Sequence, residues 1–472
     1  MSPLLLFLAC RTPEPSPSID GETPVDTAED TASTSSPTAS TATTASTGDS
    51  APAIETVSPA LAFVGAPPRN VLMISIDTLR ADHVNGLGDK DLTPRLGRWF
   101  DEGVLATDVM QCSNWTYASI SCTLLGRDNV EHGFLPRLEG SLEMPYPDDE
   151  AFLATFFQDA GYRTALTSRN GFLSARTNNI QGYETELNPL RPAQTQMAGM
   201  LEHLKMTDDG RPFFVHVHTV EPHAPYDAPA EYEVGRDELD PVDIDFTDEA
   251  QVSDLRRTHD DLPPDELALV QAHARVVYEA EVRYLDAQLD VALENWREEG
   301  LLDDTLVVFW SDHGEQLWEH GQFTHAYDLF HGENDALFAL WADNLVPLRW
   351  EGPVSMQDLA PTLLAVAGLD VPDEMTGHTL GEAPEDRLRR AMAVARGEGH
   401  NAMRRGDQKL VFRWTTGEHF LFDRGVDPEE TDNLWDPSNP EHLALWDELL
   451  PYVQATEAMV SDVSVDWKGE TP

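Results

Sequence analysis

NVLMISID, residues 70–77, is an unbroken apolar run with several β-branched side chains that ends at Asp77. This composition predicts a strand buried on both faces, as in a parallel sheet. α/β folds place ligands beyond the carboxyl ends of such strands, so Asp77 is a candidate functional residue. A lone aspartate there is also typical of a helix cap or a turn, so its role depends on what lies beside it.

Further segments predict the same kind of sheet. Apolar runs at 162–167, 213–218, 305–310 and 337–341 predict strands, and residues 274–298 show apolar side chains at helical spacing with charges between them. Strands that alternate with helices predict an α/β domain with helices on both faces of a mostly parallel sheet.

Polar side chains follow three of these predicted strands. Asp77 ends the first, His223 lies shortly after strand 213–218, and Asp312 and His313 follow strand 305–310. The carboxyl ends of parallel strands share one edge of a sheet, so these residues are expected to meet. Two carboxylates and an imidazole form a ligand set suited to Ca, Mg, Mn or Zn.

The overall charge of the chain limits which partners it can bind. The chain has 472 residues with 84 Asp and Glu against 31 Lys and Arg, a net charge of −53. Such a surface repels nucleic acid and anionic membranes, so neither is an expected partner. An enzyme acting on an anionic ester would therefore need a metal ion as its source of positive charge.

The cysteines are few. Three are present, too few for a disulfide scaffold or a four-thiolate zinc site. Whether Cys112 and Cys122 pair is left open by the sequence.

The beginning of the chain has the features of an exported protein. Residues 1–10 contain a short apolar run that ends in Ala9-Cys10, which resembles a bacterial lipoprotein signal with Cys10 as the lipidated residue. A plain short signal is the alternative. Residues 11–66, rich in Ser, Thr, Pro, Ala and acidic side chains, are expected to form a disordered linker. We therefore expect a periplasmic or cell-surface lipoprotein that touches a membrane only through its anchor.

Eight stretches, taken in order, resemble the sulfatase family of the alkaline phosphatase superfamily. They are NVLMISIDTLRADHV (70–84), TPRLGRWFDEGVLATDV (93–109), NWTYASISCTLLGR (114–127), VHTVEPHAPYDAP (217–229), YEAEVRYLDAQL (278–289), DDTLVVFWSDHGEQLWEHG (303–321), SMQDLAPTLLAVAGLDVP (355–372) and KLVFRW with HFLFDRGVDPEETDNL (409–434). The resemblance implies an alkaline-phosphatase-like three-layer αβα sandwich at 67–382 and a small antiparallel C-terminal subdomain at 383–472. Two short runs at 409–414 and 419–423 agree with the latter, because they predict a hairpin.

The resemblance also implies a single divalent metal ion (Ca, Mn or Zn) held by Asp77, Asp312 and His313. The nucleophile completes the set of ligands. Formylglycine sulfatases carry Cys-x-Pro-Ser-Arg and then x-x-Leu-Leu-Thr-Gly. With Gly126 as the last position, the cysteine position falls on Thr116.

Thr116 opens a predicted helix at 116–125 and is expected to be the metal-bound nucleophile. Cys122 lies six residues too late, and no Cys-x-Pro-x-Arg occurs elsewhere in the chain, which excludes formylglycine formation. A bound metal lowers the pKa of a hydroxyl, and a helix N-terminus favours the resulting alkoxide. The plain reading of Thr116 is a helix cap.

The expected function is therefore metal-dependent hydrolysis of a sulfate, phosphate or phosphonate ester on a small molecule or glycan. Thr116 would attack, while His223 and His325 would contact the oxyanion or protonate the leaving group. Two alternatives stay open: a transferase of phosphoryl groups in the cell envelope, and a catalytically silent binding lipoprotein.

Overall fold

The computed structural model describes residues 53–133, 145–188, 191–395 and 398–462, and these described residues belong to one compact unit. The predicted signal, including Cys10, and most of the predicted linker lie outside the described residues. Within the described ranges, none of the helices is both long and apolar enough to cross a membrane.

The described strands are β1 Ile54–Ser58, β2 Leu61–Val64, β3 Asn70–Ile76, β4 Val104–Ala106, β5 Val109–Met110, β6 Arg163–Ser168, β7 Thr185–Leu187, β8 Phe213–Thr219, β9 Thr305–Ser311, β10 Gln316–Leu317, β11 Phe323–Thr324, β12 Phe338–Trp341, β13 Leu348–Trp350, β14 Val354–Ser355, β15 Arg389–Ala395, β16 Glu398–Arg405, β17 Gln408–Arg413 and β18 Glu418–Asp423. The α-helices are α1 Pro94–Asp101, α2 Thr116–Leu125, α3 Asn129–His132, α4 Leu153–Asp159, α5 Ala193–Met206, α6 Glu249–Thr258, α7 Pro264–Glu298, α8 His331–Asn334, α9 Leu359–Val366 and α10 Pro440–Asp462. Short 3₁₀ turns lie at Ala81–His83, Ala230–Tyr232, Arg236–Glu238, His259–Asp261 and Met356–Asp358.

Eight strands form the central sheet in the order β13-β4-β12-β9-β3-β8-β6-β7. Strands β9, β3, β8 and β6 pair in parallel, as predicted, and the short β7, which was not predicted, pairs in parallel with β6. The predicted strand at 337–341 is present as β12, but it pairs antiparallel with both β9 and β4. The chain from β9 to β12 turns back at the carboxyl edge with no helix crossing the sheet, and an uncrossed connection of this kind produces antiparallel pairing.

Helices cover both faces of this sheet, which confirms the three-layer αβα architecture. Alternate side chains of β3 point to opposite sides. Val71 and Met73 pack in a core with residues of α2, α4 and α9, whereas Leu72, Ile74 and Ile76 pack in a second core with residues of α1, α5 and α7. Burial on both faces explains why the strand is apolar at nearly every position.

The register of β3 determines where the polar residues meet. Ile76 lies opposite Thr219 of β8 on one side and opposite Ser311 of β9 on the other. Asp77 and Asp312 therefore leave neighbouring strands at the same level of the sheet.

The small C-terminal sheet is an antiparallel meander in the order β15-β16-β17-β18, which confirms the predicted hairpin. Buried side chains of this sheet pack on α10, among them Met392, Met403 and Leu410 against Leu449 and Val453. The expected subdomain boundary at 382/383 stays a prediction, and the first strand of this sheet begins at Arg389.

The predicted linker is too long at its C-terminal end. β1 and β2 form an antiparallel pair at residues 54–64, and Leu61 and Phe63 of β2 are fully buried. The backbone N–H of Val64 donates to Asn344 O, and that of Val346 donates to Ala62 O. The pair is thus anchored to the domain by alternate apolar side chains of β2. This alternation is too short to predict a strand next to the Ser/Thr-rich segment that precedes it.

Candidate active site

Two aspartates and a histidine meet at the carboxyl edge of the sheet. Asp77, Asp312 and His313 are completely buried, and one ligand atom from each lies within 4.8 Å of the others. His313 Nε2 lies 3.5 Å from Asp77 Oδ1 and 3.7 Å from Asp312 Oδ2. The expected metal ligands are therefore assembled by strands β3 and β9.

The chemistry of this cluster fits a divalent cation. Neither Asp77 Oδ1 nor Asp312 Oδ2 has a hydrogen-bond partner, although buried polar atoms normally have one. His313 Nδ1 donates to the Gly314 carbonyl at 2.9 Å, which leaves the lone pair on Nε2 facing the carboxylates. Burial lowers the pKa of His313 to about 4, so its imidazole is neutral at neutral pH.

The pKa values of the two carboxyl groups are shifted in opposite directions. Burial would raise the pKa of Asp77, but the nearby His223, His218 and His313 hold it below its usual range. Burial and the Asp77 charge both raise the pKa of Asp312 well above its usual range. Paired carboxylates at this depth are costly unless a cation compensates them, which supports the metal assignment.

Thr116 is the first residue of α2, the predicted helix at 116–125, and its side chain faces this cluster. Its Oγ1 lies 3.4 Å from His313 Nε2. Backbone N–H groups of a first helical turn have no helical acceptor, so the helix N-terminus favours an anion at this point. The expected nucleophile and the expected ligands therefore share one site.

Asn170 is a site residue that the sequence analysis missed. Its Nδ2 donates to Asp77 Oδ2 at 2.7 Å and to Thr116 Oγ1 at 3.1 Å, and its Oδ1 accepts from the N–H of Phe172 at 2.9 Å. Asn170 lies just beyond the carboxyl end of β6. The rule that places functional residues just beyond the carboxyl ends of parallel strands also indicates Asn170, because it follows the predicted strand at 162–167.

A buried polar chain leads away from Asp77. His218 Nε2 lies 3.6 Å from Asp77 Oδ2, and Ser75 Oγ lies 2.7 Å from both His218 Nδ1 and His216 Nε2. His216 Nδ1 lies 3.1 Å from the Tyr183 hydroxyl. Burial, together with His218, lowers the pKa of His216 well below its usual range, so this ring is neutral.

The remaining predicted residues lie in the same place. His223 and His325 have ring centroids 5.0 Å apart, and His325 lies 4.5 Å from the His313 ring by the same measure. His325 Nδ1 is 2.9 Å from Glu315 Oε1, whereas His223 Nδ1 bonds the carbonyl of Ala224. All six predicted catalytic and metal residues are thus brought together, while Cys10 lies outside the described residues.

A cavity of about 610 Å³ opens over Thr116 and is lined by Asp77, Asn170, His223 and His325 among others. Two arginines also line it. Arg191 is paired with Glu221 and Asp227, but within the described ranges Arg169 has neither a hydrogen-bond nor an ion-pair partner. An uncompensated guanidinium in a chain this acidic makes the cavity suited to an anionic ligand.

Cys112 and Cys122 form a disulfide, which settles the pairing that the sequence left open. Cys122 belongs to α2, and Cys112 lies in the segment that leads to Thr116. The bond therefore closes a loop around the nucleophile.

The sulfatase family model matches residues 69–369, well over half of the chain. The chain belongs to the sulfatase family. Among sulfatases, an arylsulfatase of Clostridium perfringens is 25% identical over 318 residues, a match that covers 64% of this chain and 65% of that protein. The chain thus spans just under two thirds of that relative's length.

Solved structures of sulfatase-like proteins show the same fold. A phosphonate monoester hydrolase from Silicibacter pomeroyi superposes with a TM-score of 0.63 at 18% identity, covering 82% of this chain and 95% of that one. A protein solved with its substrate D-glucosamine-2-N,6-O-disulfate gives a TM-score of 0.63 at 17% identity, covering 86% and 100%. At these identities the likeness establishes the fold, and the fold class expected from the sequence is confirmed.

Proposed function

We propose that this sulfatase-family chain is a metal-dependent hydrolase of sulfate, phosphate or phosphonate esters, with Thr116 as its nucleophile. The observation that carries the proposal is the placement of Thr116 Oγ1, at the N-terminus of α2 and 3.4 Å from His313 Nε2, beside two carboxylate oxygens that lack partners. A threonine whose only task was to start a helix would need none of these neighbours.

Asp77, Asp312, His313 and Thr116 would hold the cation. When bound, a divalent cation lowers the pKa of a coordinated hydroxyl and neutralises charge on the ester oxygens. The protein adds the positive end of the α2 dipole and the Asn170 N–H, which both stabilise negative charge on Thr116 Oγ1.

In the proposed reaction, Thr116 Oγ1 forms a bond to sulfur or phosphorus as the bond to the alcohol oxygen breaks. His223 or His325 donates a proton to the departing alcohol. The Thr116 hydroxyl gives up its proton to solvent on attack. Water then bonds to sulfur or phosphorus as the bond to Thr116 Oγ1 breaks, which releases the inorganic acid or phosphonate. A proton of this water returns to the histidine, and a proton from solvent restores the Thr116 hydroxyl. Arg169 supplies a cation for the substrate at the mouth of the cavity.

The substrate's chemical class is proposed from two sources. Arg169, which has no ion-pair partner in the described part of the chain, lines the cavity, and the similar structures include a hydrolase of phosphonate monoesters and a protein bound to a sulfated glucosamine. A small-molecule or glycan ester agrees with both the cavity lining and the similar structures. The expected export of the chain as a lipoprotein through Cys10 belongs to this proposal.

The test uses the purified full chain. Bound metal is measured by mass spectrometry, and turnover is measured with p-nitrophenyl sulfate, p-nitrophenyl phosphate, p-nitrophenyl phenylphosphonate and bis-p-nitrophenyl phosphate. Thr116→Ala and a chelator are each expected to lower turnover by at least about a thousandfold, while Thr116→Ser retains part of it. A folded chain with neither metal nor turnover would instead support the silent binding lipoprotein.

A further inference from the structure

His325 stands on an unusual stretch of backbone. The residues on either side, Thr324 and Ala326, adopt left-handed conformations with φ of 71° and 70°. This region is unfavourable for residues with a Cβ, and most of all for a β-branched one. Such a segment persists only where its surroundings hold it, so the question is what holds His325.

Two buried glutamates hold this segment. Glu333 Oε2 accepts hydrogen bonds from the N–H groups of Ala326 at 2.7 Å and Tyr327 at 3.2 Å, which anchors the backbone just after His325. Glu315 Oε1 lies 2.9 Å from His325 Nδ1 and so contacts the ring itself. Both glutamates are completely buried.

The two glutamates are rigidly connected through their backbones. Gly314 N–H donates to the Glu333 carbonyl at 3.0 Å, and Glu315 N–H donates to the Gly332 carbonyl at the same distance. A Cβ on Gly314 would lie 1.9 Å from Gly332 O, so this close approach requires glycine at 314. Glu315 is thus fixed relative to the segment that carries His325.

We propose that Glu315 is a positioning residue for His325: it fixes the tautomer and the ring orientation so that Nε2 is the nitrogen presented to the leaving group. The inference rests on the proposed function and deepens it. A carboxylate at Nδ1 keeps one proton on that nitrogen, so a second proton, taken up from water, is held on Nε2. This Nε2 proton then passes to the departing alcohol. Glu315 forms no bond to substrate.

The same geometry indicates different roles for the two histidines of the cavity. His325 is backed by a buried carboxylate, whereas His223 is backed by the neutral carbonyl of Ala224. A carboxylate stabilises a ring that carries an extra proton better than a carbonyl does. His325 is therefore the proton donor, and His223 contacts the oxyanion.

Four variants test this assignment: Glu315→Leu, Glu315→Gln, His325→Ala and the double variant Glu315→Leu/His325→Ala. Turnover is compared for an aryl ester with a good leaving group, p-nitrophenol, and one with a poor one, phenol. Glu315→Leu is expected to lower kcat for the phenyl ester about a hundredfold and for the p-nitrophenyl ester about tenfold or less, with KM nearly unchanged.

Glutamine keeps an oxygen that accepts from Nδ1 but lacks the negative charge, so Glu315→Gln should give a kcat between those of wild type and Glu315→Leu. Glu315 Oε2 also accepts a hydrogen bond from the Tyr226 hydroxyl at 3.5 Å. The proposed effect of Glu315 on turnover nevertheless passes through the His325 ring, so the double variant should be no slower than His325→Ala. Glu319→Gln is the matched control, since it removes a carboxylate from the same loop that pairs with Arg80 instead. Losses that multiply in the double variant would overturn the proposal.

A second readout does not depend on turnover. In the full chain labelled with ¹⁵N-histidine, the resonances of His325 are identified by their absence in His325→Ala. Wild type and Glu315→Gln are expected to carry the proton on Nδ1, and Glu315→Leu to lose that preference. An unchanged tautomer in Glu315→Leu would overturn the positioning role, whereas absent turnover with the expected tautomer change would overturn only the proposed function.

Discussion

The side-chain amide of Asn170 donates a hydrogen bond to the hydroxyl oxygen of Thr116, at 3.1 Å. Because the same Nδ2 also donates to Asp77, Asn170 ties the nucleophile to an expected metal ligand. An N–H aimed at an oxygen that gains negative charge stabilises it more as that charge grows.

Asn170→Ala is accordingly expected to lower kcat about a hundredfold, with bound metal retained. Turnover and metal content are measured on the same preparation. Asn344→Ala is the control, because the Asn344 amide also donates two hydrogen bonds but does so to Val64 O and Ala66 O. Full activity in Asn170→Ala would mean that this contact has no part in the chemistry.

The sequence was enough to find the centre of the site but not its supporting residues. Asp77, Asp312 and His313 follow apolar runs that predict strands, and Thr116 lies ten positions before Gly126, at the cysteine position of the family motif. Asn170 and Glu315 also follow predicted strands, but their roles are recognisable only through their partners. Asp77 and Asn170 are 93 positions apart, and their contact depends on the order of strands in the sheet, which no local pattern encodes.

The fold was predictable to a similar extent: the sequence indicated the main strands but not every pairing between them. β3, β8 and β9 are apolar throughout because both faces are buried, so their existence was readable from composition. The reversed direction of β12 and the pairing of β1 with β2 are properties of the connections between elements. Both features differ from the prediction because the pairing of these strands depends on neighbouring segments and not on the strands' own residues.

The buried chain from Asp77 to Tyr183 leads to a second prediction. Ser75 Oγ bridges His218 and His216, and so orients the His218 imidazole, whose Nε2 lies 3.6 Å from Asp77 Oδ2. Removing a group that orients a ligand typically weakens metal binding 10- to 100-fold. Ser75→Ala is therefore expected to weaken metal affinity by about that factor.

The affinity is measured by competition with a chelator of known strength. Ser121→Ala serves as the control, since the hydroxyl of this buried serine donates to the Tyr117 carbonyl within α2. Equal affinity in Ser75→Ala and wild type would show that the chain does not act on Asp77.

A third prediction concerns the disulfide of α2. Cys112 and Cys122 are separated by 10 positions and both are fully buried. Closing a loop of this size lowers the entropy of the unfolded chain and stabilises the fold by about 3 kcal/mol. The double variant Cys112→Ala/Cys122→Ala should lose about that much in urea unfolding.

Unfolding of the wild type in a reductant checks that the lost stability comes from the disulfide. Wild type unfolded in dithiothreitol should resemble the double variant, and the double variant itself should be indifferent to dithiothreitol. Wild type with the same unfolding midpoint in both conditions would argue that the bond contributes nothing to stability.

The last prediction comes from Glu281, a completely buried carboxyl on α7. Its Oε1 accepts from the N–H groups of Asp227 and Ala228, at 2.5 and 2.6 Å, while Oε2 has no hydrogen-bond partner. Burial and then the Asp227 charge raise its pKa from 4.5 to about 7, against the opposing effects of those N–H groups and of Arg191.

A raised carboxyl pKa means that the folded chain holds the proton more tightly than the unfolded chain does. The stability that Glu281 contributes is therefore full below about pH 4.5 and is lost as pH rises through about 7.

Glu281→Gln mimics the protonated form at every pH. Relative to this variant, wild type should lose about 2 to 3 kcal/mol of unfolding free energy between pH 5 and pH 8. Urea unfolding at both pH values measures the difference, with Glu298→Gln on the exposed side of α7 as the control. Parallel pH dependence of wild type and Glu281→Gln would place the pKa of Glu281 near its ordinary value and attribute the pH effect to other groups.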